Sequence, residues 1–245
     1  MIIKSASNNK YKSLSKLRNK KFRDKENLFI IESKKLVEES ISSADVDFIF
    51  LSEENSSYQS HIQKIILSNE LFKKISTLKN PDGFGAVVKK QKENELTSSR
   101  ILLLDGINDP GNMGTIIRSA EAFGFNDIIL MPETVDIYNE KTLRASMGSI
   151  FRLNIVQRSI EDISQLKSSY KLLAADMKGY DINEYEIKEN LILAIGNEAN
   201  GLSKEIRNLT DDFVKIPMKG QIESLNAAIA ASILMNNLSL WFGKT

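Results

Sequence analysis

From Ile101 onward, short uninterrupted apolar runs alternate with stretches of helical period. ILLLD (101–105), DIIL (127–130), KLLAAD (171–176), LILAIG (191–196) and FVKIP (213–217) carry almost no polar face. A strand with water on one side alternates apolar and polar residues, so runs without that alternation must be covered on both sides. Residues 115–123, 139–145, 160–168 and 224–241 have helical spacing, and FRLNIVQ (151–157) reads as a further strand. Apolar strands separated by helices predict an α/β fold, with a mostly parallel sheet and helices on both faces.

The first 92 residues read as a smaller α/β domain. Residues 7–20 place Tyr11, Leu14 and Leu17 at three-residue spacing, as a helix would. Strands are expected at 27–31, 48–51 and 84–90, with helices at 34–41 and 58–67; Asn80-Pro81-Asp82-Gly83 marks a turn. The polar stretch 93–99 lacks periodicity and is expected to link this domain to residues 100–245.

Composition removes several chemistries. The chain has no cysteine and a single histidine, His61, which excludes disulfides, thiolate chemistry, His-based triads and multi-His metal sites. No metal site is expected. No apolar run reaches the roughly 18 residues of a membrane span. The N-terminus lacks an apolar signal segment, and a cytoplasmic protein is expected.

The net charge of +1 conceals an asymmetry. Residues 1–92 hold 18 Lys and Arg against 11 Asp and Glu, and residues 93–245 hold 15 against 21. Residues 4–25 alone carry nine basic side chains and one acid, Asp24. Lys10, Lys12, Lys16, Arg18, Lys20, Lys21 and Arg23 are therefore candidate contacts to a phosphate backbone, because a basic cluster gains affinity for one by counterion release. The plainer reading of such a run is a solvated helix face.

Three segments place Gly, Asn, Ser and charged residues directly against apolar elements. In NDPGNMGTIIRSAEAFG (108–124), Asn112, Gly114 and Arg118 open a helix behind a buried strand, where α/β proteins bind ligands. The glycines are expected to clear space for the guanidinium, which could grip a phosphate with two parallel hydrogen bonds. AIGNEANGL (194–202) has the glycine spacing of a phosphate loop but lacks its Lys-Ser/Thr pair. Glu198 could cap the next helix or hold a polar ligand. In IPMKGQIESLNAAIAAS (216–232), Ser224 is a plausible N-cap, whereas Asn226 needs a contact to explain it.

Taken together, these segments resemble the SpoU family of SPOUT-class RNA 2′-O-ribose methyltransferases. The matching positions are Asn112, Gly114 and Arg118; Gly196, Asn197, Glu198, Gly201 and Leu202; and Ile216, Pro217, Met218, Glu223, Ser224, Leu225 and Asn226. The stretch FIIESKKLVEE (29–39) is similar to the L30e-like substrate-binding domain of such proteins, with Ser33 where Gly is usual and Lys35 where Arg is usual.

The resemblance implies a C-terminal trefoil knot, S-adenosylmethionine (AdoMet) as methyl donor, and a homodimer. It implies a structured RNA, expected to be ribosomal, as substrate, contacted by the basic residues of the first 25 positions and by Lys35. Gly196, Asn197, Ile216, Met218, Leu225 and Asn226 are the implied cofactor positions. Arg118, Asn112, Glu198, Ser224 and Asn226 are the implied catalytic ones. A guanidinium holds its proton at neutral pH, so Arg118 is expected either to clamp the phosphate beside the target ribose or to act as base through a phosphate-assisted proton shift. A transfer-RNA ribose methyltransferase and a non-catalytic RNA-binding protein with the same fold are the competing readings.

Overall fold

The computed structural model describes residues 2–187, 189–222 and 224–241. Chain contacts divide them into two compact units. The first opens with β1 (Ile2–Ile3), α1 (Asn9–Lys16), α2 (Lys20–Glu26), β2 (Leu28–Glu32) and α3 (Lys34–Ser43), then continues with β3 (Val46–Ser52), β4 (Lys64–Leu67), α4 (Asn69–Ile75) and β5 (Phe84–Lys89). Its sheet runs β1-β4-β3-β5-β2, parallel on the β1–β4–β3 side and antiparallel around β5. Tyr11, Leu14 and Leu17 are buried in its core with Phe50, Phe72 and Ile75.

Two expectations for this unit are corrected. The helix expected over 7–20 is two helices, broken at Leu17–Asn19, with the Asn8 and Asn19 side chains capping their N-termini. The helix expected at 58–67 is instead the strand β4, paired on both sides by β1 and β3. Its KIIL run is too short for periodicity to separate buried strand from buried helix.

Ser33 stands at φ 93° and ψ 142° while its hydroxyl caps α3 by accepting from the Leu36 amide. That backbone region strains any side chain-bearing residue by about 1–3 kcal/mol, whereas replacing a Ser cap by Gly costs only a few tenths. Ser33→Gly is expected to stabilise the protein by about 1 kcal/mol, read as a higher urea midpoint at unchanged slope. A lower midpoint would show the backbone is unstrained.

The second unit contains β6 (Arg100–Asp105), α5 (Pro110–Ala122) and β7 (Asp127–Leu130). After α6 (Glu140–Ser146) come β8 (Asn154–Gln157), α7 (Ile160–Leu166), β9 (Lys171–Asp181), β10 (Leu191–Gly196), α8 (Lys204–Leu209), β11 (Asp212–Lys215) and α9 (Ala227–Trp241). The six strands lie in the order β11-β9-β10-β6-β7-β8, and every pairing is parallel. The strand expected at 151–157 is confined to β8, behind a 3-10 turn at Ser149–Phe151.

Residues 138–151, which include α6, pack with the first unit although their sequence neighbours belong to the second. Tyr138 stacks on Phe29 at 4.6 Å between ring centroids, and Lys90 lies over the Tyr138 ring. The polar stretch 93–99 belongs to the second unit, where Asp127 accepts hydrogen bonds from the amides of Thr97 and Ser98 at 2.9 and 2.7 Å. It is bound down along the sheet rather than being a free tether.

At the N-terminal ends of β9 and β10, opposite the edge where Gly196 lies, Lys171 pairs with Asp212 at 2.8 Å and Tyr185 donates to the same carboxylate at 2.7 Å. Lys171 and Tyr185 border a cavity of about 190 Å³ lined also by Leu173, Ile187 and Leu191. The Lys171 hydrogen bond, then that of Tyr185, holds Asp212 below the usual carboxylate range. Lys171 is held above its ordinary value by Asp212, and burial pushes Tyr185 up to about 12. A carboxylate depressed on folding stabilises above its unfolded pKa and loses that contribution as pH falls through the folded value; a raised lysine loses its contribution as pH rises through its folded value. Asp212→Asn is therefore expected to lower the Tm at neutral pH, with the gap to the parent closing as pH falls below the carboxylate range. A gap independent of pH would place the effect elsewhere. Among the described residues, no helix is long and apolar enough to cross a membrane.

Candidate active site

The sheet's strand order reverses between β6 and β10. From β6 the chain proceeds outward through β7 and β8, then returns to place β10 on the other side of β6. Loops leaving adjacent strands at such a reversal separate and leave a crevice at their C-terminal ends. Gly196, the last residue of β10, is in register with Asp105, the last of β6.

The loop after β10 is tightly made. Asn197 and Gly201 exchange backbone hydrogen bonds, both at 2.9 Å. Gly196 permits this, since a Cβ there would stand 2.4 Å from the Gly201 carbonyl carbon. The Asn197 amide donates to the Gly106 carbonyl at 2.8 Å, and its oxygen accepts from the amides of Ala199 and Asn200. Asn197 thus braces the two switch-point loops, and its polar atoms are spent within the fold. Glu198 projects from the tip of the loop. It does not cap the next helix; Ser203 does, and the Ser203 amide is anchored on buried Asp105 at 2.7 Å.

The loop after β6 enters α5 through a strong start signal. Asp109 is the N-cap, accepting from the Asn112 amide at 2.8 Å, and Pro110 stands in the first turn. The helix begins five residues before the expected Thr115, so Asn112 and Gly114 lie inside it. Gly114 is buried with Met113 and Ile117. Gly111, Gly114 and Thr115 precede Arg118 by seven, four and three residues on its side of the helix. Arg118 is exposed and makes no hydrogen bond or ion pair among the described residues.

Asn112 joins the three segments. Its Nδ2 donates to Glu198 Oε1, and its Oδ1 accepts from Asn226 Nδ2 at 3.0 Å. Asn226, not Ser224, caps α9, accepting from the amides of Ala228 and Ile229 at 2.9 and 3.3 Å. One side chain thus starts a helix and reaches across to the first turn of α5, which accounts for its place among the alanines. A hydroxyl bond between Ser119 and Ser232 at 2.7 Å ties α5 to α9 farther along.

Ser224 is exposed, and Ile216, Met218 and Leu225 are half-buried, in a segment without regular structure. Glu223 lies outside the described residues. Among those described, no backbone-to-backbone hydrogen bond involves residues 216–222, 224 or 225. These unspent amide and carbonyl groups lead into Asn226 at the crevice. Such a stretch of backbone suits the polar edge of a heterocyclic ligand.

The basic residues of the first unit divide. Lys10, Lys12, Lys16, Lys20, Lys21 and Lys35 are exposed. Arg18 instead pairs with buried Glu32 at 2.9 Å and donates to the Ile75 carbonyl. Arg23 is buried and donates to the carbonyls of Leu17 and Arg18, closing the end of α1. Both arginines serve the fold. Asp105 and Asp109, which set the positions of the two loops, were not among the sequence candidates; Asp before Pro at a helix start is the signal that points to Asp109.

Comparison with known proteins agrees with this geometry. The SpoU rRNA Methylase family matches residues 99–236, and the MRM3-like substrate binding domain matches residues 8–86. The 23S rRNA (guanosine(2553)-2′-O)-methyltransferase RlmP of Bacillus subtilis is 36% identical over 243 residues, covering 96% of this chain and 98% of the relative. An AdoMet-bound rRNA methyltransferase from Sinorhizobium meliloti superposes with a TM-score of 0.84 at 26% identity, over 97% of this chain and 96% of that one. An RNA 2′-O ribose methyltransferase structure gives a TM-score of 0.82 at 25% identity over 99% of both chains. With three motif segments meeting at one switch point and a family match across more than half its length, the chain belongs to the SpoU rRNA methylase family.

Proposed function

We propose that this protein transfers a methyl group from AdoMet to a ribose 2′-hydroxyl of 23S ribosomal RNA. The observation that carries the reading is the Glu198–Asn112–Asn226 chain, which unites all three motif segments where an α/β sheet binds ligands. The RNA class rests on the full-length similarity to the Bacillus subtilis enzyme.

The residues present fit the cofactor. Backbone groups of Ile216, Met218 and Leu225, with Gly196 at the end of β10, would hold it, and the unspent donors and acceptors of the 216–225 segment suit an adenine edge. When bound, AdoMet supplies an electrophilic methyl group on a sulfonium. Arg118 meets the RNA: its planar fork grips the phosphate beside the target ribose and stabilises negative charge growing on O2′ as the hydroxyl proton passes to that phosphate or to water. Asn112 fixes the Glu198 carboxylate through one oxygen and orients Asn226 through its own carbonyl, so the polar wall facing the ribose is set before substrate arrives. Ser224 completes that wall.

The segment leading into α9 threads a trefoil knot in the manner of the family. Two copies associate through α9, on which Ile229 and Leu240 are exposed along one face with Ile233 between them. The exposed lysines of the first unit hold the RNA by its backbone. The protein works in the cytoplasm.

The test has two arms. Mapping 2′-O-methyl nucleotides in ribosomal RNA from cells with and without the gene should reveal one gene-dependent site in 23S RNA. Purified protein should transfer labelled methyl from AdoMet to a 23S transcript. Transfer to tRNA alone would overturn the RNA class, and no transfer to any RNA would overturn the activity.

A further inference from the structure

The segment 138–151 belongs to the RNA-holding unit by packing, yet both its ends are covalently continuous with the catalytic unit. Its grip on the first unit is extensive. Besides the Tyr138–Phe29 stack, Arg144 donates to the Thr77 hydroxyl at 3.2 Å, and Thr77 in turn donates twice to buried Glu32, at 3.1 Å from its amide and 3.0 Å from its hydroxyl. Gly148, at φ 91°, seats its backbone against α3: a Cβ there would stand 2.5 Å from Glu39 Cγ.

The residues flanking this arm are bonded to the strand end and loop that lead into α5 and to the last turn of α5. On the entry side, the Thr134 hydroxyl accepts from the Gly106 amide and donates to the Leu104 carbonyl, both at 3.3 Å. The Val135 amide donates to the Ile107 carbonyl at 2.9 Å. These atoms belong to the end of β6 and to the loop that runs from it to Asp109 and α5. On the exit side, Arg152 makes a two-pronged pair with Glu121 in the last turn of α5: Nε to Oε1, and Nη2 to Oε2 at 3.0 Å. Between those ends lie Asn112 and Arg118.

We infer that residues 138–151 are a coupling arm, and that Thr134 and Arg152 are positioning residues through which RNA held by the first unit sets the placement of α5. The inference rests on the methyltransferase reading above for its kinetic consequence. The physical basis is leverage on alignment: a shift of about 1 Å in a reacting constellation can cost about a hundredfold in rate. A helix whose entry loop and last turn are both held by the roots of one arm moves when that arm is drawn by its ligand. Coupling of this kind is established by paired substitutions rather than by proximity.

The experiment uses the full-length protein with AdoMet and a 23S RNA transcript. Arg152→Ala is expected to lower kcat about tenfold, with KM for RNA and for AdoMet within about twofold of the parent. The charge-swapped pair Glu121→Arg with Arg152→Glu is expected to recover most of that loss. Thr134→Val should likewise lower kcat, whereas Thr134→Ser, which keeps the hydroxyl, should not. Adding the transcript to the parent protein should slow amide hydrogen exchange in α5, and Arg152→Ala should abolish that response. A kcat within twofold of the parent in Arg152→Ala, failure of the swapped pair to recover, or α5 exchange indifferent to RNA in the parent would each overturn the inference. If the parent transfers no methyl group to any RNA, the activity reading fails by itself, and the exchange response still decides the coupling.

Discussion

Arg118→Lys is expected to lower kcat by about a hundredfold or more while leaving AdoMet affinity unchanged. Arg118 is exposed and has no bond to the fold among the described residues, so stability should not change. Lysine keeps the charge but loses the planar fork, and both roles open to Arg118 use that fork. As a clamp it holds two phosphate oxygens at fixed spacing; as a phosphate-assisted base it passes a proton along the same pair of bonds. Single-turnover methylation of a 23S transcript, with calorimetry for AdoMet, separates chemistry from binding. Turnover close to the parent's would remove both roles.

The second large effect is on the fold. Expressing residues 93–245 alone is expected to give a protein that aggregates or unfolds without cooperativity, although the fragment contains every strand of the parallel sheet. Leu143, Ile150 and Phe151 are buried with the first unit, at 1%, 3% and 5% exposure. Stripped of it, they would face water at a cost on the order of 5 kcal/mol, comparable to the whole stability of an ordinary domain. The discriminating variant of the fragment replaces 138–151 by a short Gly/Ser connector; it should unfold cooperatively and bind AdoMet. If the uninterrupted fragment melts as cooperatively as the full chain, the arm does not depend on residues 1–92.

What the sequence disclosed, and what it withheld, follows from the range of the interactions. LILAIG and ILLLD announce buried parallel strands because the whole cause lies in six consecutive side chains. Asp109-Pro110 likewise marks a helix start locally. The partition of residues 138–151 could not be read that way: Leu143 and Phe151 are apolar in either core, and nothing in their spacing says which core receives them. KIIL was ambiguous for the opposite reason, being too short to show a period and decided by two neighbouring strands far away in sequence. In the active site the motif residues were legible as a set, but their division of labour was not. Asn197 and Asn226 are the same residue type, each beside a motif element. One spends its amide within the loops; the other caps a helix and reaches Asn112. Arg18 and Arg23 read as surface charge in the sequence, but the bonds of Arg18 to Glu32 and of buried Arg23 to the Leu17 carbonyl tie both into the small unit.

The placement of residues 138–151 also sets a schedule for the nascent chain. The first unit cannot finish its core when Lys92 leaves the ribosome, because the side chains that cover Phe29 and border Ile30 and Leu36 come later, from Tyr138 and Leu143. At roughly 5–20 residues per second, completion waits several seconds for the intervening segment to be made. During that interval β6, α5 and β7 emerge and begin to assemble, so two immature domains share the exit region. Synonymous changes that pause translation between codons 92 and 151 should therefore alter the yield of native protein more than equal pauses after residue 160.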